Sequence, residues 1–251
     1  MTSAAGYALL SGAGVIAGAV GSAGGITSLI SYPALLAAGL PPLQANVTQA
    51  VALVACLPGS ALSSRPELRG QGTWLRRWAA LAAAGSAAGV VILLATPSQL
   101  FARVVPFLLV LGSLAIIAQP RITAWRDRRA RSAHRLLLPC GLLAVSIYNG
   151  YFGAGSGIMV LALILLTANQ NLPQANALKN VLLGIADVTA AAGFAFFGPV
   201  RWPCAAALAV GLIVGSSLGP AITRRVPPSV LRVLVAIAGT GLAIRLWLAP
   251  L

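Results

Sequence analysis

The residues best suited to chemistry lie in two glycine clusters, GSAGG at positions 21–25 and GAGSG at positions 153–157. Each cluster interrupts a long apolar run, and the helix that starts after such a break presents unpaired N–H groups with a positive partial charge, which bind anions. Alternatively, the glycines only allow close helix packing. We therefore predict an anion site whose binding residues at the clusters are Gly21, Ser22, Gly24, Gly25, Gly153, Gly155, Ser156 and Gly157.

A polar stripe follows the second cluster. Asn176, Asn180 and Asp187 recur at helical spacings of four and seven and share one face, which Lys179 borders. Ionisable residues within apolar segments are costly and mark functional sites by default. Lys179 is predicted either to bind an anionic substrate or to extend to the lipid headgroups. Asp187 is predicted to couple transport to protons, and the alternatives are a structural hydrogen bond or an ion pair to an arginine.

The first half of the sequence repeats this polar helix entry without any charge. The string QAN at positions 44–46 matches QAN at 174–176, and Thr48 follows it. We predict that Asn46 and Thr48 bind substrate, although polar residues at a helix start are also ordinary capping groups. The ionisable residues therefore belong to the second half.

Other kinds of site find little support. His134 is the sole histidine, the acids are Glu67, Asp127 and Asp187, and the three cysteines lie far apart without metal-ligand spacing. We therefore predict no enzyme, no metal and no cofactor. The net charge of +14 comes mainly from arginines in the stretches 65–77 and 119–135, which indicates cytoplasmic loops in contact with anionic lipids rather than a nucleic-acid site.

The elements that must position these residues are membrane helices. The chain is 59% hydrophobic and 8% charged, far below the charge of a soluble domain. A transmembrane helix needs about 20 apolar residues, and suitable segments lie at about 6–38, 44–63, 78–95, 100–119, 136–168, 175–198, 203–222 and 229–248. The predicted fold is an all-α integral membrane protein of about eight transmembrane helices, with the first and fifth broken at the glycine clusters.

A shift of about 130 residues brings the two halves into register. The clusters match each other, the QAN strings match, and Gly85 and Gly89 match Gly211 and Gly215. We predict two four-helix repeats, at 1–118 and 136–251, joined by a basic cytoplasmic linker at 119–135. Four crossings per repeat is an even number, which predicts the same orientation for both repeats and cytoplasmic positions for both termini.

The second-half motifs resemble a known family. GYFGAGSG at 150–157, ANALKN at 175–180 and PPSVLR at 227–232 are similar to motifs of the sulfite exporter TauE/SafE family of membrane permeases. The resemblance implies export of sulfite or organosulfonates, linked to protons, across the bacterial inner membrane. The residues alone indicate a carrier of small inorganic or organic anions, as a monomer or a homo-oligomer. The alternatives are a non-transporting scaffold or assembly protein and an anion channel.

Overall fold

The computed structural model describes residues 4–126, 136–168 and 170–223. Every regular element in these ranges is an α-helix, as predicted. The last predicted segment, 229–248, and most of the linker lie outside the described residues. The helices are α1 (Ala4–Gly24), α2 (Ser28–Ala37), α3 (Pro42–Leu53), α4 (Cys56–Ser63), α5 (Arg65–Leu68), α6 (Gly72–Ala95), α7 (Ser98–Arg126), α8 (Leu137–Tyr151), α9 (Ser156–Thr167), α10 (Leu172–Phe197) and α11 (Trp202–Thr223).

Four stretches of the described chain are long and apolar enough to cross a membrane: Ala4–Ser22, Pro42–Leu62, Gly72–Ala95 and Leu172–Phe197. The other apolar stretches that the structure describes are shorter, at 10–17 residues. Large apolar side chains such as Leu9, Phe107 and Phe196 face outward, which suits a surface that contacts lipid. The structure therefore supports a helical membrane protein, whereas the number of eight crossings stays a prediction.

The chain reverses direction at both glycine clusters. After α1 ends at Gly24, Gly25 adopts a φ of 73°, a left-handed conformation that costs glycine little. The following α2 returns along α1, so that Gly39 beyond its end lines the same cavity as Tyr7 near the start of α1. With 10 residues, α2 is about 15 Å long, half the thickness of a bilayer core. The first predicted broken helix is therefore a hairpin with a long and a short arm.

The second cluster forms a similar hairpin. Gly153 and Gly155 have φ values of 77° and 78°, and α9 then returns along α8, which brings Leu163 near its end against Gly141 near the start of α8. Both hairpins follow from the same physical cause, because residues with a Cβ rarely adopt these left-handed conformations. The prediction of a break was thus correct in position but missed the reversal.

Small residues pack the long arm of each hairpin against a helix of the other half. In α1, Gly14 and Gly18 abut Gly211 and Gly215 of α11, in the same order along both helices. These two helices therefore run in parallel. Their backbones come close because no side chain separates them.

The hairpin of the second half is held in the same way. Gly85 of α6 abuts Ser146 of α8, and Gly89 abuts Gly150, so α6 and α8 also run in parallel. The glycine pairs that matched in the sequence shift thus make matching contacts, each with the long hairpin arm of the opposite half.

Further contacts fix the directions of the two sets of helices. Helix α10 runs antiparallel to the α3–α4 segment, with Gly198 against Val47 and Gly184 against Leu57. It runs parallel to α6, where the hydroxyl of Ser86 donates to the carbonyl of Ala186 at 2.6 Å and Val90 packs on Gly193. Helices α6, α8 and α10 therefore share one direction.

The opposite direction is shared by α1, the α3–α4 segment and α11. Thr48 of α3 accepts a hydrogen bond from the backbone N–H of Arg201, just before α11, at 3.1 Å, and Gly59 of α4 abuts Ser216 of α11. Helix α1 therefore runs antiparallel to α8. This differs from the predicted repeats of the same orientation, because each short arm returns to the side from which its long arm came.

The bundle consequently has two distinct ends. Tyr7, Gly39, Gln44 and Arg201 meet at what we call the first end. At the opposite, second end, the side chain of Gln170 donates to that of Gln71 at 3.4 Å, beside the basic stretch 65–77. The first hairpin opens toward the first end and the second hairpin toward the second end.

Candidate functional site

The two chain reversals touch each other at the centre of the bundle. A Cβ atom on Gly25 would stand 2.7 Å from the Cα of Gly157, and a Cβ on Gly157 would stand 2.5 Å from the Cα of Gly25. Both distances are far below van der Waals contact. Only glycine at both positions allows this approach, which brings the two breaks into one site.

A cavity of about 60 Å³, here called the central cavity, lies beside this contact. Nine of the predicted site residues line it. The first break contributes Gly21, Ser22 and Gly25; the second contributes Gly153, Ser156 and Gly157; and α10 contributes Lys179, Asn180 and Asp187. These groups are far apart in the sequence. The two hairpins and α10, which forms hydrogen bonds to both of them, bring the groups together.

The short arms of the hairpins begin at this cavity. Ser28, the first residue of α2, and Ser156, the first residue of α9, both line it. N–H groups in the first turn of a helix have no carbonyl partner within that helix. Because α2 and α9 lead away from the cavity toward opposite ends of the bundle, both helix dipoles direct their positive ends at the same volume. This arrangement favours a bound anion.

Lys179 adds an amino group that carries a positive charge when it is protonated. Its side chain is 0% exposed, and its ammonium group donates to the Oδ1 atom of Asn176 at 2.8 Å. Within the described residues, no carboxylate pairs with it. A buried ammonium without a counter-ion is costly, and an anion in the cavity would compensate for it. Its burial excludes the alternative in which Lys179 extends to the lipid headgroups.

Asp187 belongs to a short hydrogen-bonded chain. The Nδ2 atom of Asn149 donates to Oδ1 of Asp187 at 2.9 Å, and Oγ of Ser156 donates to Oδ1 of Asn149 at 2.6 Å. Of the alternatives for Asp187, the structure thus contains the hydrogen bond, and no described arginine pairs with the carboxylate. A smaller cavity of about 10 Å³ lies on the far side of Asp187 and Asn149 and reaches Asn46 and Gln49.

The repeated asparagines cap the long hairpin arms. Asn176 and Asn180 both donate to the carbonyl of Ser22, in the last turn of α1, at 3.3 Å each. In the other half, Asn46 donates to the carbonyl of Tyr151, the last residue of α8, at 2.9 Å. The last carbonyls of a helix lack partners within it, so each QAN string supplies an amide to the hairpin of the opposite half. Capping was the predicted alternative for Asn46, and the end that it caps belongs to another helix, α8.

Four predicted binding residues lie outside the central cavity. Asn176 holds Lys179 and the end of α1, and Asn46 borders the smaller cavity. Thr48 accepts from the N–H of Arg201 near the first end. Gly155 packs on Gly112 of α7, and a Cβ there would stand 2.9 Å from the Cα of Gly112. The remaining predicted residue, Gly24, is the last residue of α1.

Sequence reasoning missed several residues of the cavity wall. Cys56 and Ser60 of α4 line it, and nothing in their spacing linked them to the clusters. Asn149 could have been found from the sequence, because it is an amide in a mainly apolar run, four residues before the second glycine cluster. In the described part of the chain, no three metal-ligating side chains come together.

Comparisons with known proteins identify the family of the chain. A family model described as "Sulfite exporter TauE/SafE" matches residues 9–246. A "Probable membrane transporter protein" of Haemophilus influenzae is 31% identical over 92% of this chain and 90% of its own length. A "Probable membrane transporter protein ORF9" of a Sinorhizobium species is 27% identical over 95% and 91% of the two chains. The "Probable membrane transporter protein YfcA" of Escherichia coli is 24% identical over 92% and 86%.

No solved structure matches the chain. The family model nevertheless covers nearly all of the sequence, including both glycine clusters and the α10 stripe that together line the central cavity. The relatives align over most of their own length and share the description of a membrane transporter. The chain therefore belongs to the sulfite exporter TauE/SafE family of membrane transporters.

Proposed function

We propose that the chain is a secondary transporter that exports a small oxyanion, sulfite or an organosulfonate, across the bacterial inner membrane with proton coupling through Asp187. The observation that supports this most directly is the central cavity, where the starts of two half-length helices and the buried Lys179 converge. One water molecule needs about 10–15 Å³ of such a cavity. A volume of about 60 Å³ therefore suits an anion of a few non-hydrogen atoms, such as sulfite, better than a long organosulfonate.

The helix directions favour a carrier. Two hairpins of opposite orientation meet at one site, as in transporters built from inverted repeats, where rocking of one half against the other exposes a central site to each side in turn. We propose that residues 1–118 and 136–251 form such a pair. In this arrangement, Gly25 and Gly157 lie where the halves meet.

The distribution of arginines supports one orientation in the membrane. The second end carries the basic stretch 65–77. Helix α11 runs toward this end, and its last described residue, Thr223, directly precedes Arg224 and Arg225 in the sequence. We assign the second end to the cytoplasm, where arginines are enriched and anionic lipids attract them. This orientation gives an external N-terminus, in place of the cytoplasmic one predicted from an even number of crossings.

Flux of radiolabelled sulfite into proteoliposomes tests the proposal. We expect saturable flux, and we expect Lys179→Gln to lower kcat/KM about 10- to 100-fold, because a hydrogen bond to a charged group contributes about 1.5–3 kcal/mol. Arg76→Gln is the matched control, since Arg76 is exposed at the second end. Flux that rises linearly with concentration would indicate a channel. Absence of flux for sulfite and sulfoacetate, with co-purification of a stoichiometric partner, would indicate a scaffold.

A further inference from the structure

We infer that Asn149 is a positioning residue that links protonation of Asp187 to anion binding at the second glycine break. This inference rests on the proposed function. It concerns the mechanism of coupling, for which the hydrogen-bonded chain from Ser156 through Asn149 to Asp187 provides the physical path.

The three side chains are arranged in a line with a defined direction. Ser156 donates to Asn149 and Asn149 donates to Asp187, at 2.6 Å and 2.9 Å. Ser156 is the first residue of α9 and is only 4% exposed. Ser156, Asn149 and Asp187 all line the central cavity. In this direction, which suits an ionised Asp187, the single hydroxyl proton of Ser156 is engaged by Asn149 and does not point at the cavity.

The hydrogen bonds among these three side chains can also run in the opposite direction. A carboxylate only accepts hydrogen bonds, whereas a protonated carboxyl also donates one. When one proton from water binds Asp187, the carboxyl O–H donates to the amide oxygen of Asn149 once the amide has turned by about 180°. The amide N–H then donates to Oγ of Ser156. The only covalent changes are the O–H bond that breaks in hydronium and the O–H bond that forms on Asp187, and each of the three side chains keeps a hydrogen-bond partner.

Reversal changes what the cavity offers to an anion. The hydroxyl of Ser156, now an acceptor from Asn149, has its own proton free to donate into the cavity. The anion therefore gains one donor at the start of α9, beside the N–H groups of the first turn. Protonation of Asp187 and anion binding then favour each other, as reciprocal linkage requires.

Two other titratable groups line the cavity together with Asp187. Among the described residues they are Lys179 on α10 itself and Cys56 on α4, whereas Ser28 of α2 and Ser156 of α9 contribute hydroxyls. A bound anion places a negative charge beside the carboxyl of Asp187 and so favours its protonated form. Because a divalent anion and one proton would move together as a single negative charge, an inside-negative membrane potential would drive them outward.

Binding of methanesulfonate to the purified protein in detergent tests the relay, because the charge of this probe does not change between pH 6 and 8. We expect the wild type to bind methanesulfonate about tenfold more tightly at pH 6 than at pH 8, within the usual range of coupling between two sites, and to take up protons on binding. In Asn149→Leu and Ser156→Ala, the ratio of the two affinities should fall below about threefold. Ser156→Thr keeps a hydroxyl and should restore the ratio.

The matched control is Ser28→Ala. Ser28 occupies the same position on α2 as Ser156 does on α9, but it lies outside the hydrogen-bonded chain. We expect this variant to bind more weakly and to keep the tenfold ratio. If Asn149→Leu fails to fold, the Ser156 and Ser28 variants still give the comparison.

The outcomes separate the two proposals. If the wild type binds neither methanesulfonate nor sulfite, the proposed anion site is wrong and the relay falls with it. If the wild type shows the tenfold ratio and the Ser156→Ala protein keeps it, the pH dependence of anion binding does not pass through Ser156. That result would overturn the relay and leave the anion transporter intact.

Discussion

Replacing Gly157 with alanine tests whether the two chain reversals touch. The added Cβ would stand 2.5 Å from the Cα of Gly25 and 2.7 Å from its carbonyl oxygen. Backbone atoms cannot rotate away as a side chain can, so the two breaks must separate by about 1 Å to restore contact. Such overpacking costs about 1–3 kcal/mol. Alanine is also about 1 kcal/mol more favourable than glycine within a helix, which partly hides this cost.

A second glycine isolates the clash. Gly12 lies in α1, and a Cβ at Gly12 would meet nothing within 4 Å, so Gly12→Ala gains the same helix propensity without the contact. We expect Gly157→Ala to unfold at a temperature at least about 2 °C below that of Gly12→Ala, measured by tryptophan fluorescence in detergent. We also expect Gly157→Ala to lose sulfite flux, because the separated breaks no longer enclose the central cavity. Equal melting temperatures for the two variants would refute the close approach.

The capping amides and the membrane orientation give two further predictions. Asn46→Leu leaves the carbonyl of Tyr151 without its donor and should lower the free energy of unfolding by about 1–3 kcal/mol. Asn180→Leu should cost less, because Asn176 still donates to the carbonyl of Ser22 that both asparagines contact. Thermal unfolding that ranks the two variants the other way would contradict the capping assignment. The orientation can be tested with single cysteines in a cysteine-free background and a membrane-impermeant maleimide. Pro41→Cys at the first end should react in intact cells, whereas Thr73→Cys at the second end should react only in inverted vesicles. The reverse pattern would show that the N-terminus is cytoplasmic.

Much of the candidate site could be read from residue types. The clusters at 21–25 and 153–157, with Lys179 and Asp187 downstream, stand out because glycine runs and charges are unusual in apolar segments. These features depend only on neighbouring residues in the sequence, so they can be recognised without knowing the fold. The function of the QAN strings was less accessible, since Asn46 and Asn176 cap helices more than 100 residues away in the sequence.

The relative orientation of the two halves was predicted incorrectly. Hydropathy indicates the length of an apolar run but not whether the chain reverses direction within it. A run of 33 apolar residues at 6–38 is compatible with one interrupted helix or with a hairpin, and the choice depends on the φ of Gly25. One reversal per half changes the predicted even number of net crossings into an odd number. The same parity decides whether α1 and α8 run in parallel or antiparallel.

Residue types and hydropathy are enough to identify a helical membrane protein, the positions at which its helices are interrupted and the ionisable residues within its apolar segments. These properties follow from composition and from the cost of placing glycine or an ionised group in an apolar helix. The contact of the two breaks at Gly25 and Gly157, and the link through Asn149 between Ser156 and Asp187, emerge only when the helices pack together. Contacts of this kind depend on how the hairpins pack against α6, α10 and α11, because a site shared between distant segments exists only once the backbones have come together.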